Sequence, residues 1–174
     1  LDQLAETMRR RVDRELIRAR VRSGAETRQA RADAVQAVER LLRTLRRTPF
    51  GERIDWRLDA PETAIAALMP DDLLELLGNL LENAGKWARE RVDIRVSAGD
   101  RIGVVITDDG PGVPDAQLPR LGERGLRLDR RKEGSGLGLA IVRDVVDAYG
   151  GSLGFSAAGG GGLAVQVTLP AAPV

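Results

Sequence analysis

The chain has 174 residues, with 27 Lys and Arg against 26 Asp and Glu, a formal net charge of +1, and neither cysteine nor histidine. Balanced charge offers no basic surplus for nucleic acid, and the missing residue types exclude disulfides, thiolate chemistry, a Ser-His-Asp triad and histidine-ligated metals. With 43% apolar and 30% charged residues, no apolar run near the ~20 residues of a membrane span and no signal-peptide pattern, the length suits one packed domain with a short appendage.

Leu1, Leu4, Met8, Val12, Leu16 and Ala19 recur at helical steps and predict an amphipathic helix from Leu1 to about Arg22, closed by Ser23-Gly24. Its narrow stripe suits an intermolecular bundle, with packing on its own domain as the alternative. The chain opens inside this helix, so it reads as a piece of something longer. A second helix is expected from about Ala25 to Arg47, with Ala34, Ala37, Val38, Leu41, Leu42 and Leu45 on one face. Arg43, Arg46 and Arg47 read as solvated charge at its end, and Thr48-Pro49 and Gly51 stop it.

From Arg53 the period changes. Ile54, Trp56 and Leu58 alternate with charged residues, which predicts a half-buried strand. Ala64 to Leu68 is a short apolar run of either type. A strong helix follows, from Asp72 to about Arg91, with Leu73, Leu76, Leu77, Leu80, Leu81, Ala84 and Ala88 on its buried side. Asp72 with Glu75 resembles a capping box. Val92–Ala98 and Arg101–Asp108 predict a hairpin around Gly99-Asp100, with Gly99 at a positive φ. Pro114 to Gly136 is a long polar loop. Leu137–Tyr149 reads as a helix closed by Gly150-Gly151, and Leu153–Ser156 with Leu163–Leu169 as a hairpin turning through Gly159–Gly162. The mixture predicts an α+β, two-layer sandwich: one mixed, mostly antiparallel sheet with helices on one face.

Three motifs carry chemistry. Gly134-Ser135-Gly136-Leu137-Gly138 runs into a helix, where glycine backbone and the helix N-terminus suit a phosphate; a flexible loop is the alternative. The third glycine comes too early for a dinucleotide fingerprint, and no Walker pattern is present. Asp108-Asp109-Gly110-Pro111-Gly112-Val113 ends a strand, where a carboxylate can accept from an exocyclic amine and glycines admit a flat ring; an ordinary turn is the alternative. On the leucine-rich helix, Asn79 and Asn83 share a face with Lys86 three residues on. An Asn oxygen can ligate Mg²⁺ and an ammonium can neutralise phosphate; a hydrogen-bonded amide pair is the alternative. Trp87 can stack on a base or fill the core.

Taken in chain order, the motifs resemble the N, G1 and G2 boxes of the ATP-binding catalytic domain of sensor histidine kinases, the Bergerat-fold (GHKL) group shared with gyrase, Hsp90 and MutL. The likeness runs from about Arg53 to Leu169. NLLENAGKW, ERGLRLD and the stretch from Leu1 to about Ala25 narrow it to the PhoQ-like subgroup. The resemblance implies Mg²⁺ at Asn83 and Asn79 beside the phosphates. It implies adenine at Asp108, with Gly110, Gly112 and Val113 forming the turn against it. Gly134, Gly136, Leu137 and Gly138 then form the phosphate loop, Lys86, Arg124 and Arg127 contact phosphates, and the segment between the glycine motifs is a lid. Residues 1–24 then resemble the second helix of a dimerisation and phosphotransfer domain, and 25–174 the ATP-binding domain. The pattern is not complete. Trp87 stands where relatives have Tyr, and the phenylalanine box is reduced, with Leu118 and Leu121 as the nearest apolar candidates.

The implied activity is transfer of the ATP γ-phosphate to a histidine on a dimerisation helix of the parent kinase, then to a response regulator. That histidine is absent from this chain. The parent is expected in the inner membrane with this portion cytoplasmic, and residues 1–22 could pair two copies. A GHKL-type ATPase is the second reading, but Asn79 stands where hydrolysing relatives carry a glutamate, and an amide takes no proton. Glu82 remains as a candidate base. A degenerate nucleotide-binding interaction module is the third.

Overall fold

The structure, a computed structural model, describes residues 30–122 and 138–173. The expected helix of residues 1–22, Arg124, Arg127, Gly134, Gly136 and Leu137 lie outside them. In chain order the elements are β1 (Ala32–Asp33), α1 (Ala34–Leu45), β2 (Asp55–Asp59), β3 (Ile65–Ala66), α2 (Pro70–Trp87), β4 (Arg91–Ser97), β5 (Arg101–Asp108), a 3₁₀ turn (Asp115–Arg120), α3 (Gly138–Ala148), β6 (Ser152–Ala157) and β7 (Leu163–Pro170).

Asp33 sets where α1 begins. Its backbone is extended and its carboxylate accepts the N–H of Val35 at 2.9 Å and of Ala64 at 3.1 Å. The expected start at Ala25 is thus corrected for the described residues: Ala32–Asp33 pair antiparallel with Ile65–Ala66 instead of coiling. The expected apolar face holds, with Ala34, Ala37, Val38, Leu42 and Leu45 buried and Leu41 partly so. The helix gives way to a turn at Gly51, where a Cβ would stand 1.8 Å from the Leu45 carbonyl oxygen.

α2 begins earlier than expected. Met69 is its extended N-cap without a side-chain bond, and Pro70 opens the helix with the φ that proline brings. Asp72 is not a cap. It is 4% exposed, and the Tyr149 hydroxyl donates to its Oδ2, which ties the start of α2 to the residue just past α3. The helix also stops sooner, at Trp87, because Ala88 turns to ψ 147. Its seven expected core positions, from Leu73 to Ala88, are all buried. α2 lies between α1 and α3 and packs on β5. Gly85 makes room for Trp56 of β2, whose ring carbons come within 2.7 Å of where a Cβ would be.

The main sheet has the order β2-β4-β5-β7-β6. β2 and β4 run parallel, and the crossover between them carries α2; the other three pairings are antiparallel. Val92, Ile94 and Val96 on β4, Ile102, Val104 and Ile106 on β5, and Leu163, Val165, Val167 and Leu169 on β7 form the buried face. The other face is polar, with Arg91 paired to Asp93 at 3.0 Å and Arg95 to Asp59 at 3.2 Å. The α+β two-layer expectation therefore holds. One turn differs in detail. Gly99 is not at a positive φ, whereas Gly150, after α3, has φ 67 as a helix-closing glycine should.

Candidate functional site

Asp108 ends β5 on the helix-facing side and is 6% exposed. Its Oδ1 accepts the N–H of Gly110 at 2.8 Å and of Leu163 at 3.4 Å. Among the described residues no hydrogen bond reaches Oδ2, so this oxygen is available to a donor from outside. Burial pushes the carboxyl above its ordinary value; the two amides oppose that shift and the Asp109 charge adds to it.

Glycines let three segments close on this carboxylate. A Cβ on Gly110 would lie 2.5 Å from the Trp87 carbonyl oxygen and 2.7 Å from Asp108 Oδ1. Gly112 has φ 71, and its Cβ would lie 2.3 Å from the Gly161 carbonyl oxygen. A Cβ on Gly162 would overlap the Asp108 carbonyl oxygen at 1.7 Å. The turn after β5, the end of α2 and the β6–β7 hairpin thus meet backbone to backbone. Val113, next in the turn, packs partly buried against the core.

α2 supplies the amides. Asn79 and Asn83 are half-buried on one face, with Glu82 exposed between them. The Asn79 amide donates to the Glu75 carbonyl at 2.7 Å. Its Oδ1 lies 3.1 Å from where a Cβ on Gly138 would be, so the last glycine of the third motif, at the start of α3, meets Asn79 directly. Lys86 is paired with Glu82 one turn back at 2.6 Å, both partly exposed. Trp87 is half-buried at the helix end. Asp108, Gly110, Gly112 and Trp87 come together around one point, and Asn79 with Gly138 at another.

Some participants are missing from the sequence reading. Asp109 accepts the N–H of Arg89 at 2.8 Å and of Glu90 at 3.1 Å through Oδ1, and of Glu90 at 3.2 Å through Oδ2. Desolvation raises its pKa, but the backbone N–H groups of Arg91, Glu90 and Arg89 together hold it below the ordinary carboxylate value. Arg143 of α3 donates to the Leu121 carbonyl at 2.6 Å, beside Gly122 at φ 85. Gly161, Gly162 and Leu163 read in the sequence only as a hairpin. A cleft of about 170 Å³ lined by Arg91, Asp93, Thr107 and Gly159 backs on Asp108 from the polar face of the sheet. Asp108 and Asp109 themselves line it, together with Ala158 and Gly160 of the β6–β7 hairpin.

A mixed sheet thus lies under helices, with a buried carboxylate and a set of closely packed glycines at one end. Residues 69–173 match the family described as histidine kinase-, DNA gyrase B-, and HSP90-like ATPase, and the chain belongs to it. It is 39% identical over 166 residues to the sensor protein kinase CarS of Pseudomonas aeruginosa, covering 95% of this chain and 37% of that kinase. It is 34% identical over 149 residues to the two-component sensor PhoQ of the same organism, covering 85% of this chain and 33% of that one. Among solved structures it is similar to the mycobacterial sensor histidine kinase MprB, with a TM-score of 0.73 and 33% identity over 83% of this chain and 99% of that chain. The expected likeness to sensor kinases, PhoQ included, holds. The chain spans about a third of the length of CarS and PhoQ.

Proposed function

We infer that this domain binds Mg-ATP and donates the γ-phosphate to a histidine carried by another segment of its parent kinase. The observation that carries the reading is Asp108: one carboxylate oxygen is held by two backbone amides and the other is left for an incoming donor, in a cradle only glycine permits. An adenine amine is such a donor, and Gly110, Gly112, Val113 and Trp87 would lie against its ring. Lys86 would face the phosphates, and Asn79 would approach them with Gly138. The family likeness assigns Arg124, Arg127, Gly134, Gly136 and Leu137 to the same phosphate side.

For magnesium the fit is through amides. Among the described residues no group of three acidic or other classical ligands is placed to hold a metal. Asn83 would then give one oxygen and the nucleotide and water the rest, which suits the habit of this ion. Bound there, the ion would neutralise phosphate charge.

Transfer breaks the bond between the γ-phosphorus and the β,γ-bridging oxygen, forms a phosphorus–nitrogen bond to the imidazole, and releases the imidazole proton. The domain contributes positioning and positive charge. Asn79 accepts no proton, which disfavours water activation. Glu82 is the nearby carboxylate on α2, and its pairing with Lys86 keeps it occupied until Lys86 turns to phosphate. The acceptor histidine, a response regulator and pairing of two copies through residues 1–22 belong to the parent, with residues 1–24 as the end of its dimerisation domain and 25–174 as the catalytic one. Among the described residues no helix is long and apolar enough to cross a membrane, and we place this portion on the cytoplasmic side of a membrane-anchored parent.

Calorimetric titration of the folded chain with ADP and Mg²⁺ tests the nucleotide reading. Saturable binding below millimolar nucleotide is expected; no heat at millimolar ADP contradicts it.

A further inference from the structure

The two adjacent aspartates at the end of β5 do different work. Asp108 points into the helix-covered side and keeps one oxygen available. Asp109 points the other way, and both of its oxygens are engaged by the backbone that follows α2. The N–H groups of Arg89 and Glu90 converge on it at 2.8 to 3.2 Å, and its own N–H donates to the Arg91 carbonyl at 3.3 Å. These residues come directly after Lys86 and Trp87, where the helix stops and the chain turns to ψ 147 at Ala88. On the other strand of the junction Gly110 lies against the Trp87 carbonyl so tightly that no Cβ fits. Ala88, the C-cap of α2, donates to the Ala84 carbonyl, and it is Asp109 that joins the residues beyond it to the turn after β5.

We propose that Asp109 is a positioning residue that fastens the end of α2 to the turn after β5, and so sets the distance between the adenine-side group Asp108 and the phosphate-side group Lys86. This rests on the nucleotide reading above. Asp109 itself touches no nucleotide. Its charge is what holds the latch: an ionised carboxylate accepts several amide donors at once and more strongly than a neutral group does. The depressed pKa has the same geometric origin, because the amides that close the latch favour the charged form. In this arrangement a nucleotide that spans both groups gains from their fixed spacing, while a nucleoside that reaches Asp108 alone does not.

The test compares ADP with adenosine on the whole chain, and on the parent kinase where it is in hand. In Asp109→Ala, ADP affinity is expected to fall about tenfold, as when groups that must act together lose their alignment, while adenosine affinity changes less than threefold. Asp109→Asn keeps a carbonyl oxygen for the Arg89 and Glu90 amides but loses the charge and the second acceptor, and its ADP affinity is expected to fall between that of Asp109→Ala and that of the unmodified chain. Circular dichroism at the assay temperature confirms that each variant is folded. If Asp109→Ala lowers only the melting temperature and leaves ADP affinity within twofold, or if ADP and adenosine weaken equally, the latch is structural support alone and the proposal is overturned. Failure of the unmodified chain to bind ADP instead overturns the nucleotide reading, so the two failures are distinct.

Discussion

Replacing Asp108 by Asn keeps the shape of the side chain and changes only what its second atom does. In the native site Oδ1 accepts from Gly110 and Leu163, and Oδ2 is left for an incoming amine. An Asn oxygen can satisfy the two amides, but its NH₂ then meets the adenine amine donor to donor. Turned over, the NH₂ faces the two backbone amides instead. One side fails in either orientation. A lost hydrogen bond to a charged group is worth about 1.5–3 kcal/mol, which is roughly ten- to hundredfold in affinity. The same substitution should raise the stability of the nucleotide-free domain. Burial puts the folded pKa of Asp108 above its unfolded value. The folded state therefore holds the proton more tightly, and its advantage is full below the unfolded pKa and lost as pH rises through the folded one. At neutral pH the buried charge is a cost that Asn removes. Calorimetry with ADP and with GDP, alongside thermal melts at pH 4 and pH 7.5, reads both effects. ADP should weaken far more than GDP, and the gain in melting temperature should be larger at pH 7.5. Equal loss of both nucleotides, or unchanged ADP binding, refutes the assignment of Asp108 to the adenine amine.

Gly162→Ala places a methyl group on the Asp108 carbonyl, so urea denaturation should show a loss of about 3 kcal/mol, with weaker ADP binding. Lys86→Ala breaks a partly exposed pair with Glu82, which is worth at most about 1 kcal/mol, so the melting temperature should barely move; ATP affinity should still fall about tenfold while adenosine binding holds, as measured by competition titration. Tyr149→Phe removes the hydroxyl that serves the buried Asp72, and chemical denaturation should read a cost of about 1–3 kcal/mol without change in nucleotide affinity.

Local pattern carried much of this fold. The period-two runs of β4, β5 and β7 and the leucine face of α2 are visible in single stretches of sequence, because burial of one face demands them. The parallel pairing of β2 with β4 is not, since it joins strands more than thirty residues apart and leaves no local mark. β1 and β3 are two residues each, too short for a period, and their pairing displaced the expected start of α1. Asp72 followed by Glu75 has the spacing of a cap, yet Pro70 had already opened the helix and Asp72 was left to serve Tyr149. In the site, glycine spacing marked Gly110, Gly112 and Gly138. It could not mark Gly162 or Asp109, whose roles come from where a distant hairpin and a helix end happen to meet. That Asp109 is a second carboxylate beside Asp108 was the available signal, and only the geometry separates their work.

A site that holds ATP for transfer rather than hydrolysis passes its phosphate to histidine and not to water. The most direct measurement mixes this chain with labelled ATP, Mg²⁺ and the separately prepared histidine-bearing helical hairpin of its parent, and follows label on the hairpin and free phosphate together. Acid-labile label is expected on the hairpin, none on this chain, and little free phosphate when the hairpin is left out. Binding of ATP with rapid phosphate release and no label on the hairpin would contradict a transfer role.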